Sequence, residues 1–226
     1  MARRNGAAQT VHRFVAIKGS SGVSDGENWV TRAVGGGAFA NDLAIARFGS
    51  EKLLGRSGFA LTSPAFKHGD ELDPSFTAIE EDAVAPPLEW SAPPPGTQEV
   101  VLIVEDADAP ADKPLLHWLA WGFPGQRGKL FEGEVPPRAG KNARGNSEWL
   151  LPDPPIGKEH RYVFQLFALD LPLTLMPGAT REDVEASIKD HVVACAVLTG
   201  RFEGHEREDL DLEEDLGIDP EDLDLD

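Results

Sequence analysis

The sequence predicts a mostly β fold, a β-rich α+β domain of sandwich or barrel type, and three observations support it. Residues 100–104 form an unbroken apolar run, VVLIV, which is typical of a strand buried on both faces. Other short apolar runs follow at spacings of roughly ten residues, with proline-rich turns between them. Thr180, Glu182 and Asp183 form the pattern of a capped helix start, so we expect a helix beside the strands.

Acidic residues and a histidine lie where two of the predicted strands end and begin. The run at residues 100–104 is followed by Asp106 and Asp108, and the next apolar run, residues 115–123, carries His117 near its start. If the two runs pair as a hairpin, these three side chains meet at one edge of a sheet, which would make a plausible site. From these residues alone, a solvated acidic turn beside a core histidine is the alternative.

A third strand is predicted over residues 160–169, HRYVFQLFAL. Strand alternation places His160 and Tyr162 as neighbours on one face, roughly 7 Å apart. Residues 125–158, between the second and third strands, are rich in glycine, proline and asparagine. A connection of this length inside a compact domain is usually functional or disordered.

The charge of the chain excludes two classes of partner. The net charge is −18, and residues 203–226 alone contain thirteen acidic residues and one arginine. Proteins that bind nucleic acid or anionic lipid without sequence preference need a basic surface, so we expect neither partner. The single cysteine, Cys195, lies in an apolar run and is expected to be a buried core thiol.

The location predicted for the protein is the cytoplasm. No apolar run approaches the roughly 20 residues that a membrane-spanning helix needs, so we expect a soluble protein without a transmembrane segment. Residues 1–24 contain four basic residues and no acidic residue, which leaves an organelle transit peptide as the alternative.

The chain divides into three predicted regions. Residues 1–56 are rich in glycine, alanine, serine and arginine and are expected to be a poorly ordered or loosely docked extension. Residues 57–203 contain every clear periodic element and are predicted to be the folded domain. Residues 204–226 are expected to be a disordered acidic tail, because their charges repel one another.

Several sequence motifs, taken in order, resemble the phosphatidylethanolamine-binding protein family, which includes the Raf kinase inhibitor proteins. The matching strings are APPLEW (85–90), EDADAP (105–110), LHWLAW (116–121), PDPPIGKEHRYVFQLFALD (152–170) and ATREDVEASIKDHVVACAVLTGRF (179–202). Their spacing is closest to that of the prokaryotic-type branch. Ala107 departs from the family, which often has proline at this position. At the pocket rim, the string Trp149-Leu150-Leu151 stands where Tyr-x-Gly is common, and Asp153 stands where a small residue or cysteine is usual.

The resemblance implies a fold and a ligand pocket. The fold would have a large central antiparallel sheet, a smaller sheet and few helices. The pocket would accept a small anionic group such as phosphate or phosphoethanolamine. Carried over by motif, the pocket residues are Asp106, Asp108, His117, Pro154, His160 and Tyr162.

Three functions remain open at this point. The first is a binding module for a small phosphorylated or anionic ligand that regulates a kinase or a protease, with no cofactor and no catalytic residue. The second is a metal-dependent hydrolase or lyase that uses Asp106, His117 and His160 as ligands, since two imidazoles and a carboxylate suit a transition metal. The third is a scaffold that acts through its terminal regions. The sequence does not decide between a monomer and a homodimer.

Overall fold

The computed structural model describes residues 28–206, which form two antiparallel sheets and three short α-helices. The helices are α1 (Trp29–Val34), α2 (Ala44–Phe48) and α3 (Arg181–Ile188). The strands are β1 (Leu61–Thr62), β2 (Leu88–Trp90), β3 (Glu99–Asp106), β4 (Leu115–Pro124), β5 (Gly128–Leu130), β6 (Arg138–Ala139), β7 (Glu159–Leu169) and β8 (Val192–Glu203). The predicted mostly β fold, with a large and a small sheet, is confirmed.

The large sheet has the strand order β6-β4-β3-β7-β8, and the small sheet has the order β1-β2-β5. Strand β3 lies at the centre and pairs with β4 on one side and β7 on the other. All of its residues are buried, as its continuous apolar sequence predicts. The hairpin of β3 and β4 brings the end of the first strand beside the start of the second.

Two apolar cores cover the two faces of the large sheet. The first lies between the two sheets and takes one set of alternating side chains, including Leu102, Val104 and Phe164. The second lies under the helices and takes the opposite set, including Ile103 and Val163. Successive side chains of a strand point to opposite faces of the sheet. This alternation therefore decides which face each polar residue at the strand ends occupies.

The N-terminal region differs from the sequence expectation. Residues 1–27 lie outside the described part of the chain, but residues 29–48 pack closely against the large sheet. Val34, Leu43 and Ile45 are fully buried in the second core. The packed domain therefore begins well before residue 57, and the expectation of a loosely docked extension is wrong for this segment.

The C-terminal elements follow the sequence prediction. Thr180 caps α3, and its hydroxyl accepts a hydrogen bond from the backbone N–H of Asp183, whose carboxylate accepts one from the N–H of Thr180. Cys195 on β8 is fully buried. The predicted acidic tail comprises residues 204–226, and its part from residue 207 onward lies outside the described residues.

Candidate functional site

His117 is placed by an irregularity in the pairing of β3 with β4. Val104 pairs with Trp118 and Glu105 pairs with Leu116, so His117 is an extra residue that opposes none on β3. Such a bulge frees one residue from the ladder and is common beside functional sites. The freed carbonyl of His117 accepts a hydrogen bond of 3.0 Å from the N–H of Leu150.

A second hydrogen bond between His117 and Leu150 fixes which nitrogen of the His117 ring carries a proton. Its Nδ1 lies 2.6 Å from the carbonyl oxygen of Leu150. Because a carbonyl oxygen only accepts, Nδ1 carries a proton, and a neutral ring then has a bare lone pair on Nε2. His117 is only 3% exposed, and Nε2 has no hydrogen-bond partner among the described residues. Burial lowers the pKa of His117 to about 4, against the smaller opposing effect of the Leu150 carbonyl, so the ring is neutral at pH 7.

A buried carboxylate and imidazole form the second part of the site. Asp106 ends β3 and His160 lies near the start of β7, and the His160 Nδ1 is 2.7 Å from Asp106 Oδ2. The other carboxylate oxygen accepts a hydrogen bond of 2.8 Å from the N–H of Asp108. Burial raises the pKa of Asp106, and the hydrogen bonds from Asp108 and His160 oppose this rise. When protonated, His160 donates Nδ1–H to Asp106 and keeps Nε2–H for another acceptor.

Two aromatic side chains pack against the His117 ring. Tyr162 is next to Asp106 across the sheet, and its ring meets the ring of His117 edge-on, with centroids 5.0 Å apart. Trp149 packs on the other side of His117 at 5.8 Å and donates its indole N–H to the carbonyl of Phe76. Burial, together with the negative charges of Asp106, Asp153 and Asp108, raises the pKa of Tyr162, so its hydroxyl remains protonated.

A cavity of about 270 Å³ lies beside these groups. Five of the six predicted site residues line it, namely Asp106, His117, Pro154, His160 and Tyr162. The other lining residues are Pro110, Leu115, Ala143, Arg144, Leu150, Leu151, Asp153 and Pro155. The volume suits a small head group and is slightly below the usual range for drug-sized ligands.

Asp108 is the predicted site residue that does not line the cavity. One of its oxygens accepts a hydrogen bond of 2.9 Å from the N–H of Ala38, and the other contacts the backbone N–H and guanidinium of Arg161. Asp108 therefore holds the N-terminal segment on β7. Its role as a ligand-binding residue stays a prediction from the sequence.

Ala107 contributes to the same contact with the N-terminal segment. Its N–H donates to the carbonyl of Arg161, and its own carbonyl accepts from Phe39. A proline here would lack the first of these hydrogen bonds. A Cβ on Gly37, which has a φ of +113°, would lie 2.7 Å from the Ala107 Cβ. The alanine and the glycine thus allow the two segments to approach closely.

Sequence reasoning did not identify Leu150 and Arg144 as parts of the site. Both lie in the connection of residues 125–158, whose sequence signals were its length and its richness in glycine, proline and asparagine. Asn142 orders this connection, since its side chain accepts from the N–H of Arg144 at 2.9 Å and donates to the carbonyl of Glu148 at 2.9 Å. Its N–H also donates to the carbonyl of Asn146 at 2.7 Å.

A metal centre is not among the arrangements found in residues 28–206. No group of three or more histidine, cysteine, aspartate or glutamate side chains in this range is placed to hold a metal ion. Asp106, His117 and His160 share the cavity, but His117 Nδ1 is engaged with Leu150 and His160 Nδ1 with Asp106. No helix in the same range is long and apolar enough to cross a membrane.

Comparison with known proteins identifies the family. The family model described as phosphatidylethanolamine-binding protein matches residues 62–203. The chain belongs to this family. The resemblance seen in the sequence is thereby confirmed, and the matched residues begin after α1 and α2.

Individual relatives agree with this assignment. The UPF0098 protein of Aquifex aeolicus is 36% identical over 148 residues, which cover 62% of this chain and 85% of that protein. The crystal structure of the phosphatidylethanolamine-binding protein homologue CT736 from Chlamydia trachomatis matches with a TM-score of 0.61 and 32% identity, covering 65% of this chain and 98% of that one. The structure of YbcL from E. coli, described as a new member of the mammalian family, matches with a TM-score of 0.59 and 25% identity, covering 65% and 99%.

Proposed function

We propose that this chain is a binding protein whose cavity takes a small phosphorylated ligand. The observation that carries the proposal is the pair of unlike imidazoles on one cavity. His160 is bound to a buried carboxylate, and His117 has a buried nitrogen without a partner among the described residues. A buried polar atom left unsatisfied is costly, and a ligand that bonds it removes this cost.

The charges of the cavity are compatible with an anion. The carboxylate of Asp106 is bound by the His160 ring, and the wall carries a cationic side chain, Arg144, as well as Asp153. A phosphoryl group accepts hydrogen bonds from cations and from neutral donors, which His160, Arg144 and the Tyr162 hydroxyl are able to supply. The family membership supports a binding role, and no part of the cavity wall carries an activated nucleophile of the serine or cysteine type.

The test is an NMR titration of the full chain with inorganic phosphate and with O-phosphoethanolamine. We expect saturable shifts of the His160 and Tyr162 resonances, and a loss of about tenfold or more in affinity in His160→Gln, because hydrogen bonds to charged groups contribute about 1.5–3 kcal/mol. Shifts that do not saturate, or that avoid these residues, would contradict the proposal.

The chain offers a matched control for this substitution. The Nδ1 of His191 is 2.9 Å from an oxygen of Asp170, the same type of pair as His160 and Asp106, but it is partly exposed and far from the cavity wall. His191→Gln should leave the affinity unchanged. Regulation of a kinase or a protease, and a cytoplasmic location, remain predictions from the sequence.

A further inference from the structure

The two histidines of the cavity offer a ligand opposite hydrogen-bonding groups. The reciprocal contact with Leu150 leaves His117 with an acceptor at Nε2. The contact with Asp106 leaves His160, when protonated, with a donor at Nε2. A ligand that satisfies both rings must therefore accept one hydrogen bond and donate another.

No neighbouring group among the described residues donates a hydrogen bond to His117 Nε2. Asp106 on β3 is engaged with His160 and the backbone of Asp108. Tyr162 on β7 meets the imidazole edge-on, and Nε2 remains without a partner. From the connecting segments, Arg144 adds a positive charge that disfavours protonation of His117. Asp153, also on the wall, contributes a negative charge beside Tyr162.

Small oxyanions differ in whether they bring a proton. A phosphate monoester has a second pKa of about 6, so its singly charged form below that pH has one P–OH group. A phosphate diester and a sulfate ester carry the same single charge and nearly the same shape, but neither has a hydroxyl. Only the monoester offers both a donor and acceptors at one tetrahedral centre.

We infer that the cavity selects phosphate monoesters in their singly protonated form, with the ligand hydroxyl donating to His117 Nε2 and a ligand oxygen accepting from His160. This inference rests on the proposed function and names the ligand class of the same site. It predicts discrimination against diesters and sulfate esters, although all three carry one negative charge.

The test compares methyl phosphate, dimethyl phosphate and methyl sulfate by calorimetry on the full chain. At about pH 5.5 methyl phosphate should bind about tenfold or more tightly than the other two, since each of those leaves the buried nitrogen unpaired. Between about pH 5.5 and pH 7.5 its affinity should fall by on the order of twentyfold, because the competent form becomes a small fraction of the ligand. One proton should be taken up per ligand bound at the higher pH.

Methyl sulfate also serves as the control for the protein's own titration. It keeps a single charge throughout, so any change of its affinity with pH reports the titration of groups on the protein. The extra change seen with methyl phosphate reports the shared proton. In His117→Phe the discrimination should disappear, and His191→Gln should retain it.

The outcomes separate this inference from the proposed function. Equal affinity of methyl phosphate and methyl sulfate at about pH 5.5, or a methyl phosphate affinity that does not fall at the higher pH, would overturn the inference and leave the anion pocket standing. If no probe binds at either pH, the proposed function fails and the inference fails with it. The comparison of methyl phosphate with methyl sulfate on wild type tests the inference even if His117→Phe does not fold.

Discussion

The burial of His117 destabilises the fold at acid pH. Its neutral ring is held by Leu150 in a site where burial lowers the pKa to about 4, whereas the unfolded chain has the ordinary value of 6.5. Between these two values the unfolded state binds more protons than the folded state. The free energy of unfolding contributed by this group is therefore complete above pH 6.5 and decreases as the pH falls toward 4.

We predict that wild type loses about 2 kcal/mol more than His117→Phe between pH 7 and pH 5, as follows from the shift of the His117 pKa. The measurement is urea unfolding of both proteins at the two pH values. Burial raises the pKa values of Asp106 and Glu105, which acts in the opposite direction, and comparison with the variant removes their contribution. Parallel pH dependences in the two proteins would show that His117 titrates normally.

The residues of the site show what a sequence can and cannot predict. The family motifs pointed to Asp106, His160 and Tyr162. These side chains lie together because β3 pairs with β7, and because His160 and Tyr162 alternate onto one face of that strand. The bulge at His117 and its contact with Leu150 were not predictable, since both depend on a segment more than thirty residues away. The same limit applies to the hydrogen bond that Asp108 accepts from the N–H of Ala38.

At the level of elements, Glu105 joins helix α2 to the large sheet. It lies next to Asp106 on β3 but faces the opposite side, where it is fully buried. Its carboxylate accepts a hydrogen bond of 2.7 Å from the N–H of Ala44 at the start of α2, and it pairs with Arg181 of α3. Gln165 on β7 donates to the same carboxylate and accepts from the N–H of Ile45. The side chains of Glu105 and Gln165, which are distant in the sequence, thus accept hydrogen bonds from the N–H groups at the start of α2.

We predict that Glu105→Ala destabilises the fold by about 3–5 kcal/mol, because it leaves Arg181 without one partner and the start of α2 without its acceptor. The control is Glu159→Ala, which removes a partly exposed pair with Arg201 and should cost about 0–1 kcal/mol. Denaturant unfolding at pH 7 measures both. Similar costs for the two variants would show that the buried cluster does not hold α2 in place.

The elements differed in how far the sequence predicted them. Strands β3, β7 and β8 have long apolar runs, and α3 carries its own capping residues, so local pattern was enough. The helices α1 and α2 are six and five residues long, and α2 begins without a capping side chain of its own. Their order comes from tertiary contacts, which local propensity does not reveal.

For the whole molecule, the N-terminal segment is part of the folded unit and lies outside the family match. The family model begins at residue 62, whereas the second core includes Val34, Leu43 and Ile45. Without these side chains, the face of the large sheet around Val101 and Phe167 would lose its cover. The segment also contacts Asp108 and Ala107, directly after the site residue Asp106.

We therefore predict that a chain beginning at residue 57 loses cooperative unfolding and binds a hydrophobic dye, although the sequence suggested that residues 57–203 form the complete domain.

Within the full chain, Leu43→Ala should cost about 2–5 kcal/mol, the usual range for a fully buried leucine. Leu171→Ala, at a half-exposed position, should stay within about 0.5 kcal/mol. Thermal unfolding of the three proteins beside wild type measures these effects. A cooperative transition of the shortened chain at the wild-type midpoint would restore residue 57 as the start of the domain, and the N-terminal helices would then be an independent addition to it.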